Sequence, residues 1–240
     1  QEPVSARAPK GSHSYTLTNW GELRSYAGMP KSGRVDPADA KSLKHGYYAA
    51  VSYIDAQIGR VLAALDDTGL AENTIVVLWS DHGWKLGDYG AWCKHTNVEL
   101  DVRVPLIVSD PRMKKGGQRS DALVELVDVY PTLIDLAGFE VDEALEGKSL
   151  KPLLKNPKAP FKKAVFSQYP RGRGVLGISM RTDRYRYTVW EGSGNGGEDL
   201  FEIYDHRQDP WELENLAGKV SAEEMAELTK LYEGGWEAQN

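Results

Sequence analysis

The chain has 240 residues, of which 41% are hydrophobic and 27% are charged, and its formal net charge is −6 at pH 7. This balance is typical of a globular protein of one or two domains, and the acidity excludes a general attraction to nucleic acid or anionic membranes. No apolar run approaches the ~20 residues that a transmembrane helix needs. We therefore expect neither a nucleic-acid partner nor a membrane partner. The single cysteine, Cys93, rules out an internal disulfide framework and a four-cysteine zinc site.

The opening residues, QEPVSARAPKGSHS, are polar and contain no apolar core of the kind that a signal peptide carries. No long periodic segment follows before residue 36. We interpret residues 1–35 as a linker or an internal segment, and we expect no signal peptide in this chain.

Residues 36–69 predict a long amphipathic helix. Asp36 is a favourable N-cap residue, Pro37 suits the first helical turn, and Gly69 suits the position that follows a helix. Apolar residues recur at steps of three and four along one face, namely Leu43, Tyr47, Ala50, Val51, Ile54, Ile58, Leu62 and Leu65. Such a face has to be buried against another element.

Two apolar runs after this helix predict strands. Residues 74–80 (TIVVLWS) and 104–108 (VPLIV) are continuous rather than alternating, which is typical of strands covered on both faces in a mostly parallel sheet. Residues 121–137 predict a second amphipathic helix with a kink or break at Pro131. We therefore assign residues 36–155 to an α/β domain, with a mostly parallel sheet flanked by helices.

The pattern changes after about residue 150. Residues 151–163 (KPLLKNPKAPFKK) are rich in Pro and Lys and are typical of a linker. Four short segments rich in aromatic and β-branched residues follow, at 164–169, 175–182, 185–192 and 199–206, which predicts an antiparallel meander. Ser221 and Glu224 form a capping-box pattern that begins a terminal helix. Residues 156–240 are thus expected to form a small antiparallel subdomain with a packing helix.

The residues after the first predicted strand carry the chemistry. Asp81 and His82 stand where the strand ends, and this edge of an α/β sheet is where ligands bind. A hard divalent cation accepts a carboxylate such as Asp81 as an oxygen ligand. His82 offers a contact to that metal or to its anion, and Lys94 offers a compact positive charge.

Each of these residues also has an ordinary interpretation when it is taken singly. Asp81 is then a turn residue, Lys94 a solvated charge, and Cys93 a small buried hydrophobe. The intervening GWKLGDYGAW has glycines at 83, 87 and 90, which let the backbone turn tightly and approach a ligand closely.

The combined stretch, SDHGWKLGDYGAWCKHTNVELDVRVPLIV, resembles the C-terminal metal-site motif of the sulfatases, within the alkaline-phosphatase-like superfamily. The segments YYAAVSYIDAQIGRVLAALDD, SQYPR, SMRTDRYRYTVW and LFEIYDHRQDPWELENLA are similar to segments of iduronate-2-sulfatases. The resemblance covers nearly all of the chain from about residue 45. It implies an alkaline-phosphatase-like α/β fold and a sulfuric ester hydrolase that acts on glycosaminoglycan-like sugars.

The resemblance also implies a role for each residue of the motif. Asp81 would ligate Ca²⁺, or Mg²⁺ as in some relatives, and His82 would ligate the metal or hydrogen-bond the sulfate or the nucleophile. Lys94 matches the lysine that contacts the sulfate oxygens, and Trp84 and His95 are expected in the substrate pocket. A metal and an ammonium would stabilise the charge that develops on the sulfuryl oxygens.

The nucleophile of the family has no counterpart in this sequence. Sulfatases use a formylglycine made from Cys or Ser in a C/S-x-P/A-x-R motif, whereas Cys93 stands in AWCKHTN, without Pro or Arg at those offsets. The acidic pair on the other side of the metal also belongs to the N-terminal half of the family. We therefore expect a C-terminal half whose partner is the N-terminal half, and which is inactive by itself.

Five arginines of the C-terminal part fall into two groups. Arg171 and Arg173 are either a guanidinium fork for the carboxylate or sulfate of an acidic sugar or an exposed, solvated loop, and both stay open. Arg181, Arg184 and Arg186 are interpreted as a solvated sheet face with cross-strand aromatic packing.

Two alternative functions also stay open. One is a phosphonate or phosphate ester hydrolase of the same superfamily, because Asp-His-Gly near a strand end recurs there. The other is a sulfatase-like chain without catalysis. The resemblance implies a periplasmic, extracellular or lysosomal location.

Overall fold

The predicted long helix is the largest element of the computed structural model, which describes residues 2–19, 21–113, 115–172, 174–192 and 199–236. The α-helices are α1 (Gly21–Ser25), α2 (Pro37–Asp67), α3 (Glu99–Val102), α4 (Val129–Leu136), α5 (Lys151–Lys155) and α6 (Ala222–Glu233). The strands are β1 (Val76–Trp79), β2 (Lys85–Leu86), β3 (Trp92–Cys93), β4 (Leu106–Ser109), β5 (Ala164–Gly172), β6 (Val175–Thr182), β7 (Tyr185–Glu191) and β8 (Leu200–Asp205).

Helix α2 begins and ends where the sequence predicts. The Asp36 carboxylate accepts a hydrogen bond from the Ala38 amide (2.8 Å), and Gly69 adopts a left-handed backbone at the other end. The expectation that its apolar face is buried is wrong for this chain, because no residue of α2 is buried. Ile54, for example, is 55% exposed.

Strands β1 and β4 pair with each other in antiparallel fashion. The Ser80 amide donates to the Pro105 carbonyl (3.3 Å), so the chain re-enters the sheet beside the point where β1 ends. A parallel neighbour would need a crossover back to the other end of the strand. These two strands therefore do not form the mostly parallel sheet that their sequence predicts, nor is each covered on both faces, since Trp79 is 50% and Ile107 is 59% exposed.

The region between the α/β elements and the C-terminal sheet departs from the prediction in two places. Helix α4 is shorter than predicted and has no kink at Pro131, because this proline lies in the first turn, where amides have no intrahelical acceptor. The predicted linker contains α5 and a buried lysine, Lys162. Its ammonium lies 2.7 Å from carboxylate oxygens of both Glu125 and Asp128.

The C-terminal meander is confirmed. Strands β5 to β8 form one antiparallel sheet in chain order. Helix α6 begins with the predicted capping box, in which the Ser221 hydroxyl accepts from the Glu224 amide (3.1 Å). Leu228 of α6 packs on Met180 and Ile203 of the sheet, so this part has its own apolar core.

The N-terminal residues lie against β8 and the segment that follows it. Lys10 forms a parallel bridge with Glu214, and its amide donates to the Leu213 carbonyl (2.7 Å). The buried Glu202 carboxylate of β8 accepts from the Thr16 hydroxyl and from the His13 amide. No helix among the described residues is long and apolar enough to cross a membrane.

Candidate active site

Asp81 and His82 lie just beyond the end of β1, as the sequence predicts. The Asp81 side chain is 80% exposed, and one of its oxygens accepts from the His82 amide (3.0 Å). The His82 ring stands beside the same carboxylate, with Nε2 3.5 Å from Oδ2, while Nδ1 lies 2.8 Å from the Gly83 carbonyl. A carboxylate and an imidazole therefore face solvent together at this edge.

A stacked cluster connects this pair to Lys94. The Trp84 ring stacks on the His82 ring at a centroid distance of 6.1 Å and on the Tyr47 ring of α2 at 6.4 Å. The Lys94 ammonium lies 4.7 Å from the centroid of the same Trp84 ring, a distance at which a cation is attracted to the ring face. The structure thus brings His82, Trp84 and Lys94 together, although twelve positions separate His82 from Lys94 in the sequence.

Lys94 also has an acidic partner that the sequence analysis missed. Its ammonium lies 2.7 Å from a carboxylate oxygen of Glu22 on α1, and both side chains are largely buried. Burial would raise the pKa of Glu22, but Lys94 outweighs it and holds that pKa below its usual range. An ammonium has three donors, so the pair leaves donors for a second anion.

The backbone around Lys94 has unusual geometry for residues other than glycine. Cys93 and His95, on its two sides, have left-handed φ values of 64° and 81°. Each such residue costs ~1–3 kcal/mol and persists only where its surroundings impose it. Gly87 and Gly90 also adopt left-handed φ values in the turn between β2 and β3, which confirms that these glycines let the chain turn tightly.

Two buried charged side chains, Lys85 and Asp101, pack beneath the backbone around Lys94. The Lys85 ammonium is fully buried and pairs with Asp101 of α3, whose carboxylate also accepts from the Thr96 amide (2.8 Å). Burial lowers the pKa of Lys85, although Asp101 opposes that effect. Gly83 lies so close to the backbone of α3 that an added Cβ would stand 1.9 Å from the Leu100 carbonyl oxygen.

His95 and Arg171 lie on the other side of Lys94. The exposed His95 ring stacks on the Tyr169 ring of β5 at 5.4 Å. Burial, and next the charge of Lys94, lower the pKa of His95. The Arg171 guanidinium donates to the carbonyls of Tyr15 (2.6 Å) and His95 (3.1 Å), so it is not the exposed, solvated group of one interpretation. Arg173 lies outside the described residues.

Arg186 contradicts the prediction of a solvated arginine face. It is buried and pairs with both Glu99 and Glu212. His206 Nε2 lies 2.8 Å from a Glu212 oxygen. A guanidinium that already neutralises two carboxylates holds this buried cluster together.

Glu99, Glu212 and His206 form the one cluster of three possible metal ligands among the described residues, with ligand atoms within 4.8 Å of one another. Because Arg186 supplies the positive charge there, the cluster does not call for a cation.

At Asp81 the fit to a metal is partial. An exposed carboxylate is a donor that suits Ca²⁺ or Mg²⁺, yet Ca²⁺ takes 6–8 oxygen ligands. The described residues bring no group of three metal-ligating side chains together at Asp81. Among the described residues, Asp81 and His82 are therefore the candidate ligands at this edge, and they do not make a complete coordination shell.

Cys93 has the environment that its ordinary interpretation predicts. It is buried beside Leu23 and Trp92, and burial raises the pKa of its thiol to about 11. A thiol in this state is a poor nucleophile.

A pocket of about 390 Å³ opens between α1, α2 and the β2–β3 hairpin, next to Trp84. Its lining is almost entirely apolar and includes Leu43, Tyr47 and Trp92. A sulfated sugar carries charge and hydroxyl groups, so this pocket does not suit such a ligand.

Two family models match the chain. The model described as Sulfatase matches residues 4–139, and the model described as N-sulphoglucosamine sulphohydrolase, C-terminal, matches residues 87–233. The chain therefore belongs to the sulfatase family, as its resemblance predicts.

Its relatives are considerably longer than this chain. It is 33% identical over 210 residues to a sulfatase of Formosa agariphila, which covers 86% of this chain and 39% of that protein. It is 34% identical over 213 residues to human iduronate 2-sulfatase, which covers 63% of this chain and 38% of that protein. The chain thus spans less than two fifths of the length of these curated relatives.

Two solved structures have a similar fold. The structure of BT4656 in complex with its substrate D-glucosamine-2-N,6-O-disulfate is 34% identical, has a TM-score of 0.73, and covers 81% of this chain and 40% of that one. Phosphonate monoester hydrolase of Agrobacterium radiobacter is 25% identical, with a TM-score of 0.71, and covers 84% and 42%. The expected α/β fold class is confirmed.

Proposed function

We propose that this chain is the C-terminal part of a sulfuric ester hydrolase of the iduronate-2-sulfatase type, acting on sulfated, glycosaminoglycan-like sugars. The observation that carries the proposal is the contiguous group of Asp81, His82, Trp84 and Lys94 at the end of β1, in a chain of the sulfatase family. The similarity to human iduronate 2-sulfatase supports the finer assignment.

In this proposal Asp81 and His82 hold one side of a Ca²⁺ or Mg²⁺ ion, which would supply charge stabilisation to the sulfuryl oxygens. Lys94 donates from its ammonium to a sulfate oxygen while Glu22 keeps the side chain in place. Trp84 and His95 line the sugar-binding site on the two sides of Lys94. Charge that develops on the sulfuryl group is then met by a preorganised cation.

The remaining parts belong to an N-terminal half, which we propose as the partner of this chain. It would supply the formylglycine nucleophile and the other metal ligands, and this chain by itself would not turn over substrate. The exposed apolar face of α2 supports such a partner, because a continuous apolar face needs a cover. By analogy with the family, the complete protein would act outside the cytoplasm.

The test of the metal site uses the complete protein with Asp81→Ala. Loss of the carboxylate should abolish hydrolysis of an aryl sulfate and remove the bound divalent metal, measured by elemental analysis. Asp183→Ala is the matched control, since this aspartate is equally exposed but pairs with Arg207 instead. Full metal content in the Asp81 variant would refute its role as a ligand.

Lys94→Ala tests the anion contact. We expect kcat to fall by about 10²–10³-fold, the effect typical of removing one group that stabilises transition-state charge, with a smaller change in KM. A variant that keeps a near-normal kcat would contradict the role of Lys94.

A phosphonate or phosphate ester hydrolase is the second candidate, and the structural similarity to a phosphonate monoester hydrolase favours it. Parallel assays of the complete protein with aryl sulfate, aryl phosphate and phenyl phosphonate esters separate the two candidates. The complete protein could also hydrolyse none of the three substrates and show neither metal nor formylglycine by mass spectrometry. That result would support the third alternative, a sulfatase-like protein without catalytic activity.

A further inference from the structure

Two of the three guanidinium nitrogens of Arg171 donate hydrogen bonds to the loop around Lys94. We define the Lys94 loop as residues 93–97. The Arg171 Nη1 group donates to the His95 carbonyl (3.1 Å), and Nη2 donates to the side-chain oxygen of Asn97 (3.2 Å). The third nitrogen, Nε, donates to the Tyr15 carbonyl (2.6 Å). Every nitrogen of the guanidinium is therefore committed to this chain.

The guanidinium is also packed against rings. Its central carbon lies 5.1 Å from the centroid of the Tyr169 ring and 5.0 Å from that of Trp190. Stacking and directed hydrogen bonds together fix a planar fork in one orientation. An incoming sugar carboxylate would have to displace existing bonds in order to use this fork.

Asn97 extends the same attachment into the C-terminal sheet. It is buried, and its amide nitrogen lies 3.1 Å from the Gly177 carbonyl of β6 and 3.4 Å from the Ser167 carbonyl of β5. The amide oxygen receives the bond from Arg171. Hydrogen bonds of Arg171 and Asn97 therefore attach the Lys94 loop to the C-terminal sheet.

The Lys94 loop needs this attachment because its backbone is strained. Cys93 and His95 are both left-handed, and an L-residue leaves this conformation unless tertiary contacts hold it. The carbonyl that Arg171 binds belongs to His95 itself, immediately after Lys94. Loss of that bond would let the loop relax and carry the Lys94 ammonium away from its place above Trp84.

We infer that Arg171 is a positioning residue, which holds the strained Lys94 loop on the C-terminal sheet so that the Lys94 ammonium faces the reacting anion, instead of binding the substrate directly. The catalytic half of this inference rests on the proposed function of Lys94. The structural half, that Arg171 holds the loop, does not depend on it.

The structural half is tested by hydrogen–deuterium exchange in the complete protein with Arg171→Ala and Arg171→Lys. We expect amides of residues 93–97 to exchange at least about tenfold faster in both variants, because one ammonium cannot reach three acceptors. Amides of β7 and β8 should keep their protection. Unchanged exchange in the Lys94 loop overturns the inference, whatever the activity of the protein.

Arg184→Ala is the matched control for the loss of an arginine from the same sheet. Arg184 pairs with Asp205 and Glu224, at the far end of β7 from Trp190. This variant should leave both the exchange of the Lys94 loop and kcat unchanged. Arg171→Lys keeps a charged side chain, so it remains informative if Arg171→Ala fails to fold.

The catalytic half is tested by kinetics with an aryl sulfate. Arg171→Ala should lower kcat by about 10²-fold with KM changed less, as expected when a catalytic group is misplaced. In a Lys94→Ala background the same change should add less than about threefold, because Arg171 acts through Lys94. A raised KM with multiplicative effects and an unchanged loop would instead identify Arg171 as a substrate ligand.

If the complete wild-type protein hydrolyses neither sulfate nor phosphate esters, the proposed function fails. The hydrogen–deuterium exchange measurement would still show whether Arg171 holds the Lys94 loop in place.

Discussion

The C-terminal sheet and helix α2 both carry strong apolar patterns, but only the sheet buries its pattern within this chain. Met180 and Ile203 are fully buried, whereas α2 has no buried residue. The sheet packs on α6, which follows it closely in the chain. For most of the apolar face of α2, no cover is found among the described residues. An apolar pattern therefore shows that a face needs a partner, but not which segment provides it.

The same contrast holds for charges. Arg186 and Lys162 are buried and each pairs with two carboxylates, whereas Asp81 is exposed. The pair of Arg186 with Glu99 joins the C-terminal sheet to α3, a segment far before it in the chain. The exposed carboxylate is free to bind something outside this chain, which is what a binding site requires.

The largest expected effect is in the buried charge cluster. Arg186→Met should lower the free energy of unfolding by about 3–5 kcal/mol, because Glu99 and Glu212 lose their buried partner. Urea denaturation of the complete protein measures it. Arg184→Met, which breaks a half-exposed pair with Asp205, should cost far less, because solvent screens exposed ion pairs. Equal losses in the two variants would contradict the contrast.

Apolar truncations compare the two regions directly. Ile203→Ala should cost about 2–5 kcal/mol, as for other buried aliphatic residues. Ile54→Ala on α2 should cost more than about 1 kcal/mol in the complete protein, because the proposed N-terminal half covers this face. A loss within about 0.5 kcal/mol, typical of surface positions, would show instead that the face stays exposed.

The pH dependence of stability follows from Glu212. Burial would raise its pKa, but Arg186 and His206 outweigh burial and lower it to about 2, against 4.5 for the free side chain. This contribution is present above pH 4.5 and is lost as the pH falls towards 2. Glu212→Gln should therefore flatten the fall in unfolding free energy across this window. Identical slopes in wild type and variant would refute the assignment.

The smallest expected effect concerns two helix serines. Ser221→Ala removes the N-cap of α6 and should cost about 1 kcal/mol. Ser52→Ala on α2 removes only a bond to the Tyr48 carbonyl of the same helix, and the change should be near zero or slightly stabilising. Thermal denaturation of both variants makes the comparison, and a larger loss at Ser52 would contradict it.

Local patterns predicted most of the secondary structure. The caps of α2 and α6, the four strands of the meander and the position of Asp81 at a strand end all follow from residues close together in the sequence. The errors lie where distant segments decide the outcome. Lys162 looks like part of a linker, and Arg186 looks like part of a solvated face, until their acidic partners are brought beside them.

The candidate site divides in the same way. Residue types and resemblance predict Asp81, His82 and Lys94, and the structure brings His82 and Lys94 to the same tryptophan ring. Glu22 and Asn97 were missed, because no local signal marks a residue whose role depends on a partner far along the chain.

The sequence by itself determined the helices, the meander, the family and the residues at the end of β1, since each depends on short-range propensity or on a contiguous motif. Only the tertiary structure decided the direction of β4, the exposure of α2 and the environment of Lys94. The His95 carbonyl and the Arg171 guanidinium that holds it are 76 positions apart. Contacts over such distances depend on how the whole chain packs, which no local pattern specifies.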